Sequence, residues 1–354
     1  MSIDTGHAKN DKENRLRRYD ILRQRITLRR PNYGKAITDS LANISIDPLA
    51  IDMASEMQPL PELIRPMHLF YLTTRVEIPK WARRGKLIEY GLGVMRTMLE
   101  MDYIQPFIMN RPIKSRQVPE SVLKEEIRRY ANSLGYICGF TKVDRRFIAD
   151  ANDCKFQFDT AIVLGMEMDS ELLDQVPHPG DKLFDFEIYV KSGRQVFNLA
   201  RFIRSKGYQC FARVPFDGHV KYPPHAVNAG LGELGANGVV ITREFGPRLR
   251  WCMISIDADI EPDKPANLNM AAYCDACRRC IKACPGKAIP DERLWWRGVF
   301  KRKINDTCCY PFFVKYEGCG ICLKVCPMNR YGYQASMDAF IKDGTILPCK
   351  QRNE

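Results

Sequence analysis

The run Cys274-Asp275-Ala276-Cys277-Arg278-Arg279-Cys280-Ile281-Lys282-Ala283-Cys284-Pro285, followed by Cys319-Gly320-Ile321-Cys322-Leu323-Lys324-Val325-Cys326-Pro327, decides the reading of this chain. A cubane iron–sulfur cluster needs four thiolates converging from a tight, turning loop. A Cys-x2-Cys-x2-Cys run supplies three of them, and the cysteine just before proline serves the other cluster in two-cluster ferredoxins. The spacing therefore predicts two [4Fe–4S] clusters. Cys274, Cys277, Cys280 and Cys326 would hold the first, and Cys319, Cys322 and Cys284 the second, with one ligand still to be supplied. Cys308 and Cys309 stand side by side ahead of Cys319, and either is close enough to complete the set. Structural zinc prefers two ligand pairs at wider separation, and disulfides belong to oxidising compartments.

Outward from this run, the other cysteines have no metal spacing. Cys138, Cys154, Cys210 and Cys252 read as small buried hydrophobes, and Cys349 lies near the end. The chain has 354 residues, which suits about two domains, and its 45% apolar content is that of a globular protein. No stretch approaches the apolar length of a membrane helix. Arg17-Arg18 and Arg29-Arg30 are not followed by an apolar run, so no export signal is expected and a reducing cytoplasm is. The formal net charge is +12. Two clusters at about −2 each would leave the folded protein near +8, still basic. Such a surface suits an acidic protein, an anionic substrate or nucleic acid.

Upstream of the cysteines the pattern is α/β. Trp81 to Met101 has helical apolar spacing. Pro119-Glu120-Ser121 opens a helix that should run to Leu134 and stop at Gly135. Tyr136 to Lys142 alternates like a strand, and Thr160 to Met166 is a continuous apolar run, as in a strand covered on both faces. Asp181 to Lys206 reads as a long amphipathic helix ended by Gly207. Gln209 to Val214, Gly238 to Thr242 and Arg250 to Asp257 read as strands, and His225 to Gly230 as a short helix. Cluster loops are expected from Tyr273 to Asn329, and a helical tail from Tyr331.

These segments carry a resemblance. Gly207-Tyr208-x-Cys210, Ala229-Gly230-Leu231-Gly232-Glu233-Leu234-Gly235 and Ile241-Thr242-Arg243-Glu244-Phe245-Gly246-Pro247-Arg248, leading into a paired cluster motif, resemble the corrinoid reductive dehalogenases. So do Ile162-Val163-Leu164-Gly165-Met166-Glu167-Met168-Asp169 and the helix Tyr189 to Lys206. The resemblance spans roughly residues 120 to 330. It extends more weakly to epoxyqueuosine reductases. It implies a nitroreductase-like cobalamin-binding domain over 119–262 and a ferredoxin-like two-cluster domain with tail over 263–354. Residues 1–118 would form an N-terminal arm and helical wrap. It also implies corrinoid contacts at Gly230, Gly232, Glu233, Phe245 and Gly246, and it favours Cys309 as the missing thiolate, since aromatic residues follow that cysteine in both families. In the dehalogenases a tyrosine donates a proton beside a basic residue, a pairing that resembles Tyr189 with Arg248 or Arg250. A neighbouring cation favours phenolate and so eases proton release. In epoxyqueuosine reductases an aspartate is the acid, and Asp217 stands near that position.

The activity implied is reductive cleavage of a carbon–halogen or similar bond in a small organic substrate. An acidic ferredoxin or flavodoxin would bring electrons to basic residues Arg278, Arg279, Lys282, Lys287 and Lys324. The alternatives are an epoxyqueuosine-type reductase acting on tRNA, or an electron carrier or corrinoid reactivation protein with no substrate of its own.

Overall fold

The computed structural model describes residues 92–348, apart from positions 94, 98, 110, 112, 114, 149–157, 178–183, 216–219, 306–307, 310–311, 314–315 and 317–318. Most of the segment expected to be helical from Trp81 to Met101 lies outside these residues. Its described positions between 92 and 99 are helical, and a π-turn follows at Glu100–Ile104.

Helix α1, Glu120–Ser133, starts behind Pro119 in an extended conformation and carries Glu120 in its first turn, where the helix dipole favours an acid. Leu123, Ile127 and Ala131 recur every four residues and form its buried stripe. Gly135, at φ 89°, ends it. Strand β1 (Tyr136–Lys142) then pairs antiparallel with β2 (Thr160–Glu167). The long helix α2 (Phe184–Ser205) follows. Gly207, at φ 88°, turns the chain away from it, and a Cβ there would lie 2.5 Å from the Ser115 carbonyl oxygen. Strand β3 (Cys210–Arg213), helix α3 (Tyr222–Asn228), the short pair β4 (Glu233–Leu234) and β5 (Val240–Ile241), and strand β6 (Leu249–Ile256) complete the region.

The main sheet has the order β1-β2-β6-β3, and every pairing in it is antiparallel. β2 is buried along its length except at Glu167. Its even positions Ile162 and Leu164 join α1 and α2 in one core with Leu123, Ile127, Leu199, Ile203 and Ile254. Its odd positions Ala161 and Val163 face a second core with Ala226, Val240, Trp251 and Met253. Helices on one face and α3 with its loops on the other explain the uninterrupted apolar run, without any parallel neighbour.

The cysteine-rich segment folds as α4 (Met270–Cys277), α5 (Arg279–Ala283), a hairpin of β7 (Leu294–Trp296) and β8 (Val299–Lys301), α6 (Ile321–Lys324) and α7 (Pro327–Asp343). A third core of Ile241, Leu268, Met270, Tyr273, Met328, Tyr333 and Met337 lies under it. The hairpin is not part of the expected loops. Pro327, whose fixed φ suits a first helical position, opens one short turn, and Gly332 at φ 76° breaks it before the tail helix, close to the expected start at Tyr331. No helix among the described residues is long and apolar enough to cross a membrane.

Candidate functional site

Local turns bring the thiols together. Cys274 and Cys277 sit one turn apart on α4. Arg278, in the left-handed region at φ 53°, breaks the helix and starts α5, which presents Cys280. Cys326 is the residue before α7. The four cysteines line one pocket, together with Tyr273 and Met328.

The thiols act on one another electrostatically. Burial pushes the Cys280 thiol up to about 12, and the charges of Cys274 and Cys277 add to this. Burial also raises Cys326, with further push from Cys274 and Cys280. Cys322 is raised to about 12 by burial, then by Cys280, Cys319, Cys309 and Cys284. Cys319 is raised by burial and by Cys284. Thiols that oppose each other's ionisation are the arrangement a cationic iron core would reverse, since bound metal inverts the local pKa logic. Backbone N–H groups already point at the sulfurs. Ala288 donates to Cys284 Sγ at 3.3 Å. Hydrogen bonds from Ala236 to Cys274, from Met328 and Asn329 to Cys326 and from Ile321 to Cys319 favour the thiolates. Among the described residues no three such side chains converge on one point as they would on a single ion. The donor set fits two clusters, and the link between Cys280 and Cys322 puts the sets beside each other.

Cys309, rather than Cys308, bears on Cys322. The Cys308 amide donates to Asn305, and its carbonyl packs against Gly286. Cys210 and Cys252 are buried in the sheet core, and burial pushes each up to about 12, as it does Cys138. Cys154, Cys349 and Asp217 lie outside the described residues.

Tyr189 stands on α2, and the Arg250 guanidinium lies over its ring at 5.3 Å from the centroid. Arg248 is committed elsewhere. It donates to Glu167 Oε1 at 2.8 Å and to the Asn329 carbonyl at 2.6 Å, tying the sheet to the turn after Cys326. Of the two arginines weighed from sequence, the fold brings Arg250 to the tyrosine.

The residues expected around a corrinoid are engaged with this chain. Both Glu233 carboxylate oxygens accept from the start of α4, at Leu268 N (2.9 Å) and Met270 N (2.8 Å). A Cβ at Gly230 would sit 2.3 Å from the Lys264 carbonyl oxygen, and one at Gly246 2.5 Å from that of Met328. Gly232 abuts the Ile241 carbonyl in the same way, and Phe245 packs in the second core. Gly230, Glu233 and Gly246 thus meet the cysteine segment and the chain leading into it. Of the basic residues expected to meet a donor, Arg278 pairs with Asp291, Arg279 donates to the Ile346 carbonyl and Lys324 to that of Val176. Lys282 and Lys287 are exposed.

No family model matches the chain. Among curated proteins, the tetrachloroethene reductive dehalogenase of Desulfitobacterium hafniense is 34% identical over 189 residues, 49% of this chain and 34% of that protein. The epoxyqueuosine reductase of Atelocyanobacterium thalassa is 31% identical over 117 residues, 30% of this chain and 36% of its own length. Among solved structures, a reductive dehalogenase described with a mechanism for B12-dependent dehalogenation overlaps 66% of this chain and 36% of its own, with a TM-score of 0.57 and 21% identity. A catabolic reductive dehalogenase variant covers 71% of this chain and 39% of its own, with a TM-score of 0.60 and 19% identity. Over part of its length the chain is thus similar to both reductive dehalogenases and epoxyqueuosine reductases, and the sequence match is longer on the dehalogenase side. The chain spans about a third of the length of these curated relatives.

Proposed function

We propose that this chain is a reductive oxidoreductase in which two [4Fe–4S] clusters relay electrons to a reaction centre beside Tyr189. The observation that carries the reading is the gathering of eight cysteines: Cys274, Cys277, Cys280 and Cys326 line one pocket, and Cys280, Cys319, Cys309 and Cys284 all act on Cys322. Sulfurs supplied with N–H donors are suited to stabilise a reduced cluster, and hydrogen bonding to sulfur is one of the levers on its potential. The reading divides the chain into a nitroreductase-like domain over 119–262 and a ferredoxin-like domain over 263–354, working in a reducing compartment.

The reaction that fits the dehalogenase side replaces a carbon–halogen bond by carbon–hydrogen. It consumes two electrons and one proton and releases halide. Tyr189 would hold that proton on its phenolic oxygen, and Arg250 over the ring would stabilise the negative charge left behind. A corrinoid, the cofactor the resemblance implies, would supply the metal-centred reduction that side chains cannot perform. An acidic ferredoxin or flavodoxin is the proposed donor, with Lys282 and Lys287 available to it. A tRNA substrate is the second reading, favoured by the net charge of +12 and the epoxyqueuosine reductase match.

Metal, sulfide and corrinoid analysis of anaerobically purified protein tests the proposal. About eight irons and eight sulfides per chain are expected from eight cysteine ligands. Zinc without sulfide would overturn it. Full clusters with no corrinoid bound under reducing conditions would leave the electron-carrier reading.

A further inference from the structure

The hairpin β7–β8 holds a group of cations that the redox reading does not use. Its two-residue turn is Arg297-Gly298, with φ 48° and 75°, so both positions occupy the left-handed region that a tight hairpin of this kind demands. Asparagine, aspartate or glycine ordinarily fills the first of them, because other side chains are strained there. Arginine stands there instead, and it is buried to 3% exposure. Its Nη1 donates to the Arg146 carbonyl, which fastens the hairpin to the turn after β1. Its Nε has no acceptor among the described residues. Burial lowers its pKa, and no acid among the described residues offsets this.

The neighbours add positive charge rather than removing it. Arg297, Lys301 and Lys303 all approach the Trp296 ring, at 5.3, 5.1 and 5.9 Å from its centroid. The residues acting on Lys301 are Lys303 and Lys221, both of which disfavour its charge. Trp296 is itself 5% exposed, and its buried indole N–H has no partner among the described residues. One aromatic face can soothe a cation, but it does not neutralise both Arg297 and Lys301. Backbone strain, a buried guanidinium and an unmet indole donor thus coincide at two adjacent residues. Strain of this kind persists where a surrounding structure enforces it, and it concentrates at ligand-binding sites.

We propose that Arg297, Lys301 and the Trp296 indole N–H form an anion site at the seam between the sheet and the hairpin, which takes a phosphate group. A tetrahedral oxyanion offers several acceptors at once, which suits a guanidinium, an ammonium and an indole donor carried by one hairpin. The site is distinct from the thiol cavity and does not depend on which reaction the chain catalyses.

The test is thermal unfolding of the anaerobic, cluster-loaded full chain, titrated with inorganic phosphate against chloride at matched ionic strength. Phosphate should raise Tm by a few degrees and saturate, as a ligand specific to the native state does. Arg297→Asn places a residue suited to the left-handed turn and should fold at least as well while losing most of the phosphate response. Lys301→Met should also weaken it, by about tenfold in Kd. Dimethyl phosphate in a parallel titration separates the sources: a response to it as well identifies a phosphodiester, and a response to inorganic phosphate alone identifies a free or terminal phosphate. No phosphate-specific shift in the wild type would overturn the site. So would a response of equal size in Arg297→Asn and Lys301→Met.

Discussion

The sheet region and the cysteine segment use the same residue type in opposite ways. In the sheet, Cys210 and Cys252 sit in a continuous core of 29 buried residues, and burial alone accounts for most of their raised pKa. They pack as small hydrophobes. In the cysteine segment the underlying core has seven buried residues, and the thiols press on one another with N–H groups aimed at several sulfurs. One region is held by apolar burial, at roughly 1.5–3 kcal/mol for each large side chain taken from water. The other has a smaller core among its described residues and carries the gathered thiols. Its stability should therefore be coupled to metal in a way the sheet's is not.

Removing the metal is the strongest way to break this comparison. Stripping iron anaerobically with a chelator should unfold the segment over residues 270–343 and leave the sheet in place. Hydrogen exchange would read it. Protection should vanish in α4 to α7 and persist in β1, β2 and β6. Uniform loss, or no loss in either region, would show that the two regions do not differ in what holds them.

A sharper version acts on one ligand. Cys309→Ser should remove or convert one cluster, lowering iron by up to about four per chain, while Cys308→Ser should keep both. Iron analysis with low-temperature EPR separates the outcomes. The reverse ranking would exchange the two residues, and equal loss would mean that the turn containing both matters more than either thiol.

The two arginines extend the comparison to the border between the regions. Tyr189→Phe keeps the ring and removes the hydroxyl, so turnover on a panel of aryl halides should fall by roughly 10² with clusters retained. Arg250→Gln should also lower turnover. Arg248→Gln should chiefly loosen the tie to Asn329 and lower Tm, since its guanidinium reaches Glu167 and the Asn329 carbonyl. Unchanged turnover in both Tyr189→Phe and Arg250→Gln would remove this pair from the chemistry.

The gathering of Cys274, Cys277, Cys280 and Cys326 at one pocket was legible because most of its information is local: spacing of two or three residues fixes which sulfurs a single turn can present. Tyr189 and Arg250 were legible only as one option of two. Their meeting depends on where α2 crosses β6, and Met166 opposite Arg250 in the sheet is a long-range fact. The continuous run Thr160 to Met166 correctly implied cover on both faces but says nothing of strand direction, which is antiparallel here. The hairpin escaped notice because Trp295-Trp296-Arg297-Gly298-Val299-Phe300 carries arginine where asparagine or aspartate would signal a tight turn. The role of Glu233 was equally hidden. A carboxylate capping a helix thirty-odd residues later leaves no periodic trace.

The smallest effect tests the sheet side alone, through pH. His225 is fully buried beside β1, where its Nε2 accepts from the Asp144 amide at 3.0 Å and its Nδ1 donates to the Lys221 carbonyl at 2.9 Å. This arrangement holds the neutral ring. Burial lowers its pKa below 6.5, opposed by the Lys221 hydrogen bond and the Asp144 charge. The unfolded chain therefore takes up the proton first. Below about pH 6.5 it binds more protons than the folded chain, so stability falls as pH falls, by at most about 1.4 kcal/mol per pH unit for one group. Asp144, Asp263 and Asp275 have lowered pKa values and should weaken the fold only in a more acidic window, below the ordinary carboxylate pKa of 3.8. Urea unfolding between pH 7.5 and pH 5 would isolate the histidine. His225→Gln, which offers one acceptor and one donor without titrating, should flatten the curve above pH 5 at some cost in absolute stability. An equally steep curve in the variant would assign the pH dependence to another group.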